Sequence, residues 1–166
     1  MNPAYDPSRW STFFSAQAGA SAALVGLLFV AVSINLAKII KMSQLVTRSA
    51  KALYALMSVL IASTMCMVPA QPVRCLGGEL LFLGALVWVA STWSQHASVH
   101  KNKYVTTRGR VMQGILTQLS AVPFILAGAS ILAGFGGGLY WLVPATIFSF
   151  IAGLFDAWVL LIEFQR

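Results

Sequence analysis

Residues 15–35 read SAQAGASAALVGLLFVAVSIN, and this stretch decides the fold class. It carries no charge and is long enough to cross a bilayer as a helix, which needs about 20 mainly apolar residues. Its first half is built from small residues, and polar side chains lie near both ends. Small and polar residues in membrane helices are typical of surfaces that contact other helices. The stretch therefore predicts a membrane helix with a face fitted to something other than lipid tails.

The composition of the whole chain also indicates a membrane protein. Of its 166 residues, 58% are hydrophobic and 9% are charged, whereas soluble domains carry about 25% charged residues. Five apolar segments reach or approach the length of a membrane span, and they comprise residues 13–37, 52–70, 79–93, 111–133 and 139–164. We therefore expect an all-α integral membrane bundle of five transmembrane helices, forming one domain with no soluble domain.

The basic residues predict the orientation of these spans, because loops rich in Lys and Arg stay in the cytoplasm. Nine of the eleven lie in the first and third loops or at the last residue: Lys38, Lys41, Arg48, Lys51, Lys101, Lys103, Arg108, Arg110 and Arg166. Only Arg9 and Arg74 fall on the other side. We expect the N-terminus outside, the C-terminus in the cytoplasm, and anionic lipid against the cytoplasmic face. No nucleic-acid-binding pattern is visible, so no such partner is expected.

Two stripes of the first span are candidate contact or pore-lining surfaces. Small residues repeat every four positions on one stripe, as in closely packed membrane helices; they are Ala18, Ala22 and Gly26. The other stripe is polar at both ends and apolar in the middle, and comprises Gln17, Ser21, Leu24, Leu28, Ala31 and Asn35. A pore lining with a leucine constriction has this pattern. Packing against another helix is the alternative, and both roles are compatible when the packing is between subunits.

The fifth span contains the most deeply placed acid. A charge at the bilayer centre costs about 2.5–3.5 kcal/mol on insertion scales, so an intramembrane carboxylate is a candidate functional site. One helical face carries Thr146, Ser149, Gly153, Asp156 and Glu163. Asn35 is predicted at a similar depth to Asp156. Two interpretations stay open: Asp156 binds a cation or proton, or it is a structural acid paired with Asn35 or with a lysine such as Lys38.

Glu79 is a second candidate, at the predicted start of the third span. It is interpreted either as part of an outer vestibule that attracts cations or as an acid in the first turn of a helix, where the helix dipole favours negative charge.

The remaining reactive residues do not form a catalytic or metal-binding pattern. Cys66 and Cys75 allow either a disulfide or two free thiols. His96 and His100 are four residues apart but have no third metal ligand nearby, so no metal site is expected. Neither a nucleophile elbow nor a phosphate-binding glycine loop is present. We therefore expect no enzyme activity and no cofactor.

The stretch RWSTFFSAQAGASAALVGLLFVAVSINL, residues 9–36, resembles the first span of a group of small bacterial multi-span membrane proteins of unknown function. Some members of that group are labelled modulators of a membrane protease. The resemblance rests mainly on Phe13, Phe14 and residues 26–36. It implies a multi-pass protein of the bacterial inner membrane.

These observations favour a transport function. We expect a homo-oligomer that acts as a channel or simple transporter for an ion or small solute, with Gln17, Ser21, Leu24, Leu28, Asn35, Ser149 and Asp156 along its path. The alternative is a non-enzymatic accessory or scaffold protein that binds another membrane protein.

Overall fold

The computed structural model describes residues 3–41, 43–101 and 107–164, and within these ranges the chain is almost entirely helical. The helices are α1 (Ser11–Ile34), α2 (Leu36–Lys41), α3 (Ser43–Cys66), α4 (Val73–Lys101), α5 (Thr107–Ala133) and α6 (Leu142–Phe164). Short 3-10 turns lie at Pro3–Tyr5, Pro7–Trp10 and Gly138–Trp141.

Five stretches are long and apolar enough to cross a membrane, so the prediction of an all-α fold with five spans is confirmed. They are Pro7–Ile34, Leu45–Cys66, Val73–Trp93, Gly114–Ala133 and Gly138–Trp158. The third span begins six residues before its predicted start, because Pro72 initiates the helix. Its carbonyl accepts hydrogen bonds from the amides of Cys75 at 2.9 Å and Leu76 at 3.2 Å.

Four of the long helices form a ring, in which α3 packs against α4, α4 against α5, α5 against α6, and α6 against α3. Helix α1 lies outside this ring, mainly against α3 and with a smaller contact to α6. Only 11% of the α1 span is buried, compared with 56% of the α3 span. Helix α3 is therefore the central element, and α1 presents most of its surface to its surroundings.

The helices run between two ends, which we name by their residues. The glycine end contains the loop 134–138, and the basic end contains α2 and the start of α3. A buried apolar cluster near the glycine end joins all five long helices and includes Phe14, Leu80 and Phe124. A second cluster near the basic end joins α1, α2 and α3 around Leu28 and Leu56. The two clusters fix where α1 lies along the ring.

The closest approach between two helices involves α4 and α5. A Cβ added at Gly128 would overlap the backbone nitrogen of Leu81 and would lie 2.7 Å from the carbonyl oxygen of Gly77. A Cβ added at Gly84 would lie 2.7 Å from the backbone nitrogen of Ile125. Glycine at these positions lets the two backbones touch, which is how small residues bring membrane helices together.

The N-terminal segment covers part of the glycine end. Gly138 has a φ of +52°, and a Cβ there would overlap the carbonyl oxygen of Ala4. The indole Nε1 of Trp10 donates to the carbonyl oxygen of Pro3 at 2.9 Å, and its ring meets that of Tyr140 edge-on at 4.8 Å. The hydroxyl of Ser130 accepts from the amide of Gly138 at 2.8 Å. The segment thus meets the glycine end through the close approach of Ala4 to Gly138 and through the ring contact of Trp10 with Tyr140.

The half-buried acid of this segment, Asp6, contacts Ser8 and Arg9. The hydroxyl of Ser8 donates to the Asp6 carboxylate at 2.6 Å, and Nε of Arg9 lies 3.4 Å from that carboxylate. Hydrogen bonding from Ser8, with a smaller contribution from Arg9, lowers the pKa of Asp6 below its ordinary value.

Candidate functional site

Helices α3 and α6 meet along a line that we call the α3–α6 seam. Gly153 sets its geometry, since a Cβ there would lie 2.9 Å from Cγ of Leu56 and 3.5 Å from the carbonyl oxygen of Ala52. Residues that follow this contact at intervals of three and four positions lie on the same face of their helix. The seam comprises Ser49, Ala52, Leu56, Val59 and Ser63 of α3, and Leu142, Thr146, Ser149, Gly153 and Asp156 of α6. All ten residues are buried.

Half of the seam is polar, which is unusual for the interior of an apolar bundle. The hydroxyls of Ser49 and Thr146 donate to carbonyls of their own helices, Leu45 at 2.7 Å and Val143 at 2.9 Å. The hydroxyl oxygens of Ser63 and Ser149 are buried and have no hydrogen-bond partner among the described residues. An unpaired buried hydroxyl costs about 1–3 kcal/mol. These two hydroxyls can still donate to and accept from a polar guest.

Asp156 lies at the end of the seam nearer the basic end and is only 7% exposed. Lys51, on the adjacent turn of α3, is close enough for its positive charge to act on Asp156. The predicted partner Asn35 forms the break between α1 and α2, and its amide nitrogen donates to the carbonyl oxygen of Ala31 at 2.9 Å. The side chains of Lys38 and Glu163 lie outside the described part of the chain.

The polar stripe of α1 is turned inward. Ser21 and Leu28 are buried, while Gln17, Leu24 and Asn35 are half-buried. Leu28 packs in the cluster near the basic end, with Leu24 against it, beside residues of α3 and α6. Within one chain, this stripe therefore faces α3 and α6 rather than the outer surface of α1.

Two polar groups of α1 lie on that inward face. The hydroxyl of Ser21 donates to the carbonyl oxygen of Gln17 at 2.7 Å. The side-chain oxygen of Gln17 is buried and, like the two seam hydroxyls, has no hydrogen-bond partner among the described residues. These three atoms lie on α1, α3 and α6, and a fourth buried atom without a partner among the described residues, Oε1 of Gln71, lies in the loop before α4.

The stripe of small residues on α1 faces outward. Ala22 and Gly26 are exposed and Ala18 is half-buried. A Cβ added at Gly19 or Gly26 would meet nothing within 4 Å. Ala22 and Gly26 are thus uncovered within one chain, so this part of the stripe is a surface open to lipid or to another protein.

Glu79 lies in the second turn of α4 and not in the first, because the helix begins at Val73. Its carboxylate accepts a hydrogen bond of 2.7 Å from the amide nitrogen of Gln71 in the preceding loop. Cys66 is buried and Cys75 is exposed, and both are free thiols in this structure.

Metal ligands do not converge in the described part of the chain, where no three His, Cys, Asp or Glu residues form a group. The side chains of His96 and His100 lie outside the described residues.

Four structurally important residues are not conspicuous in the sequence: Lys51, Ser63, Gly84 and Gly128. Lys51 was assigned to a loop because the second span was predicted to begin at residue 52, whereas the apolar helix already begins at Leu45. The available signal was the spacing Leu45, Ser49, Ala52 and Leu56, which continues one helical face past the lysine.

Fold and composition define the class as a multi-pass helical membrane protein. In comparisons with known proteins, no family model matches the chain, and no curated protein or solved structure matches it.

Proposed function

We propose that the protein is a simple transporter that moves a small cation or a proton across the membrane, through the α3–α6 seam and the adjoining face of α1. One observation carries the proposal: a line of buried hydroxyls leads along the seam to a buried carboxylate within a membrane-spanning stretch. A carboxylate and hydroxyl oxygens are the ligands that small hard cations prefer. Intramembrane acids are rare and mark ion pathways and proton relays.

Tight packing at the seam favours a transporter over an open pore. The clearance at Gly153, where an added Cβ would lie 2.9 Å from Leu56, leaves no room for a hydrated ion. Ser149 and Asp156 are seven residues apart, which is about 10 Å along a helix axis. A proton or a dehydrated cation would therefore move stepwise, with side chains or α1 shifting between steps.

Asp156→Asn tests the proposal directly. The amide has nearly the same shape but has no negative charge, so we expect the variant to fold and to lose at least 90% of its flux. The measurement is uptake into proteoliposomes driven in turn by sodium, potassium and proton gradients. A variant that elutes as wild type in detergent and transports at the wild-type rate would contradict the proposal.

A pair of serine variants serves as the control for folding. Ser149→Ala removes a hydroxyl that has no partner among the described residues, whereas Ser58→Ala removes one that donates to its own helix, at 2.8 Å from the carbonyl oxygen of Ala55. Both serines are buried. We expect Ser149→Ala to lower the flux several-fold without loss of stability and Ser58→Ala to leave the flux unchanged.

We further propose that the chain assembles as a homo-oligomer in the bacterial inner membrane, with anionic lipid against the basic loops on the cytoplasmic side. The exposed small stripe of α1 supports assembly, because the chain itself leaves that stripe uncovered. The accessory-protein alternative uses the same stripe, with another membrane protein as the partner.

Gly26→Leu tests the assembly. The leucine has open space within one chain, so the fold is retained, but it would hold two small-residue faces apart. We expect at least a tenfold loss of self-association, measured by analytical ultracentrifugation in detergent. An unchanged oligomer would remove this stripe from the interface, and a wild-type monomer would favour the accessory role.

A further inference from the structure

The register between α3 and α6 places a lysine beside the carboxylate. Gly153 packs on Ala52 and Leu56, and the two helices are antiparallel, since Leu142 and Cys66 share one cluster while Ala157 and Leu45 share the other. Asp156 lies one turn beyond Gly153 and so meets α3 at the level of residues 49–52. Lys51 belongs to that turn, and its charge interacts with that of Asp156.

Lys51 is half-buried, whereas its neighbours Ser49 and Ala52 are fully buried. It therefore lies at the margin of the seam. It is six residues into the Leu45–Cys66 span, about 9 Å from the start of that span. A lysine stem of four carbons reaches along a helix towards the membrane surface while its ammonium stays in a polar environment. Two positions are open to the ammonium: beside Asp156, or towards the basic end.

The surrounding charges favour one cation at a time beside Asp156, either the ammonium of Lys51 or another ion. Arg48, one turn nearer the basic end, is half-buried and acts on Lys51 as a like charge. Among the described side chains, Asp156 is the acid whose charge acts on Lys51. The seam also presents the neutral hydroxyl of Ser49, which donates to Leu45, and α1 ends nearby with the neutral amide of Asn35. A further cation at Asp156 would add to the like charges of Lys51 and Arg48 among the described side chains, which is unfavourable away from water.

We propose that Lys51 is a built-in counter-ion that occupies the cation site of Asp156 and leaves it, towards the basic end, when a transported cation or proton binds there. The inference rests on the proposed transport function and adds the competitor that regulates its site. Exchange of one positive charge for another keeps the carboxylate compensated throughout the cycle. An intramembrane acid that is always compensated avoids the larger cost of an unpaired buried charge.

Two variants with opposite expected effects test whether Lys51 competes with the transported cation for Asp156. Lys51→Gln removes the competitor, so the cation concentration for half-maximal flux should fall at least fivefold. Lys51→Arg keeps the charge and binds a carboxylate through two parallel hydrogen bonds, so that concentration should rise at least threefold. Because the arginine variant retains the positive charge at this position, it keeps the test decisive even where Lys51→Gln does not fold.

A labelling experiment gives a readout that does not depend on transport. Dicyclohexylcarbodiimide modifies carboxyl groups in their uncharged form, and the chain has only four acidic side chains, so the labelled residue is identified by mass spectrometry. Loss of the lysine charge favours the uncharged acid. We expect labelling of Asp156 at neutral pH to increase several-fold in Lys51→Gln and to stay at the wild-type level in Lys51→Arg.

The outcomes separate this inference from the function on which it rests. Normal flux in Asp156→Asn would overturn both. Loss of flux in Asp156→Asn, together with wild-type half-saturation and labelling in both Lys51 variants, would overturn the counter-ion role alone. Opposite shifts in the two Lys51 variants, with increased labelling in Lys51→Gln, are the expected result.

Discussion

Gly128→Ala is expected to break the contact between α4 and α5. The added methyl group would overlap the backbone nitrogen of Leu81 and would lie 2.7 Å from the carbonyl oxygen of Gly77. Both obstacles are backbone atoms, which cannot rotate away as a side chain can. Overpacking a well-packed interior costs about 1–3 kcal/mol, and we expect the upper part of this range or more. The measurement is the thermal unfolding midpoint in detergent, where a drop of several degrees is expected.

Gly26→Ala is the matched control, because the same methyl group is added to a glycine of another membrane helix. At Gly26 it would meet nothing within 4 Å, and alanine favours helix over glycine by about 1 kcal/mol. The control should therefore unfold at or above the wild-type temperature. Equal midpoints for the two variants would mean that α4 and α5 do not touch at Gly128. Gly128→Leu extends the series, and we expect it to yield no folded protein.

This contrast shows what hydropathy and spacing can and cannot predict. The sequence predicts the spans and the stripes of small residues, because both follow from the order of residues along one helix. It does not identify which neighbour a stripe meets. The stripe of α1 is thus largely open in this structure, while the glycines between α4 and α5 bring two helix backbones into contact. Which helices meet depends on how all five faces fit together at once.

The candidate site was predicted in part. Asp156 and Ser149 were singled out because polar residues in an apolar run are conspicuous, and both are buried at the seam. Lys51 was missed because a hydropathy boundary tends to exclude a charged residue from a span, even where the helix continues through it. Ser63 was missed because serine is common in membrane helices, and only the packing reveals that its hydroxyl lacks a partner among the described residues.

The sequence GFGGG at residues 134–138 is typical of a tight turn, since glycine suits positive φ values. Gly134, Gly136, Gly137 and Gly138 all have positive φ. Their surroundings differ, however, and the sequence does not distinguish them. A Cβ at Gly134 would meet nothing within 4 Å, whereas a Cβ at Gly138 would overlap the carbonyl oxygen of Ala4. One glycine is needed for the turn alone, and the other also for the contact with the N-terminal segment.

Gly138→Ala is therefore expected to release the N-terminal segment from the glycine end. Alanine at the φ of +52° suffers backbone strain, about 1–2 kcal/mol for a left-handed residue, and its methyl group also displaces Ala4. The exposed Arg9 offers the measurement, because trypsin cleaves after it once the segment is free. We expect trypsin to cleave the variant in nanodiscs at least ten times faster than the wild type. Mass spectrometry measures the rate of this cleavage.

Gly134→Ala separates the effect of backbone strain from the effect of displacing Ala4. The φ of +73° at Gly134 imposes a similar backbone cost on alanine, but the added methyl group would meet nothing within 4 Å. We expect cleavage after Arg9 in this variant at close to the wild-type rate. Fast cleavage in both variants would mean that the loop conformation alone holds the segment. Slow cleavage in both would mean that Trp10, through its contacts with Pro3 and Tyr140, is sufficient without Gly138. Only the difference between the two alanines assigns the attachment to the backbone contact at Ala4.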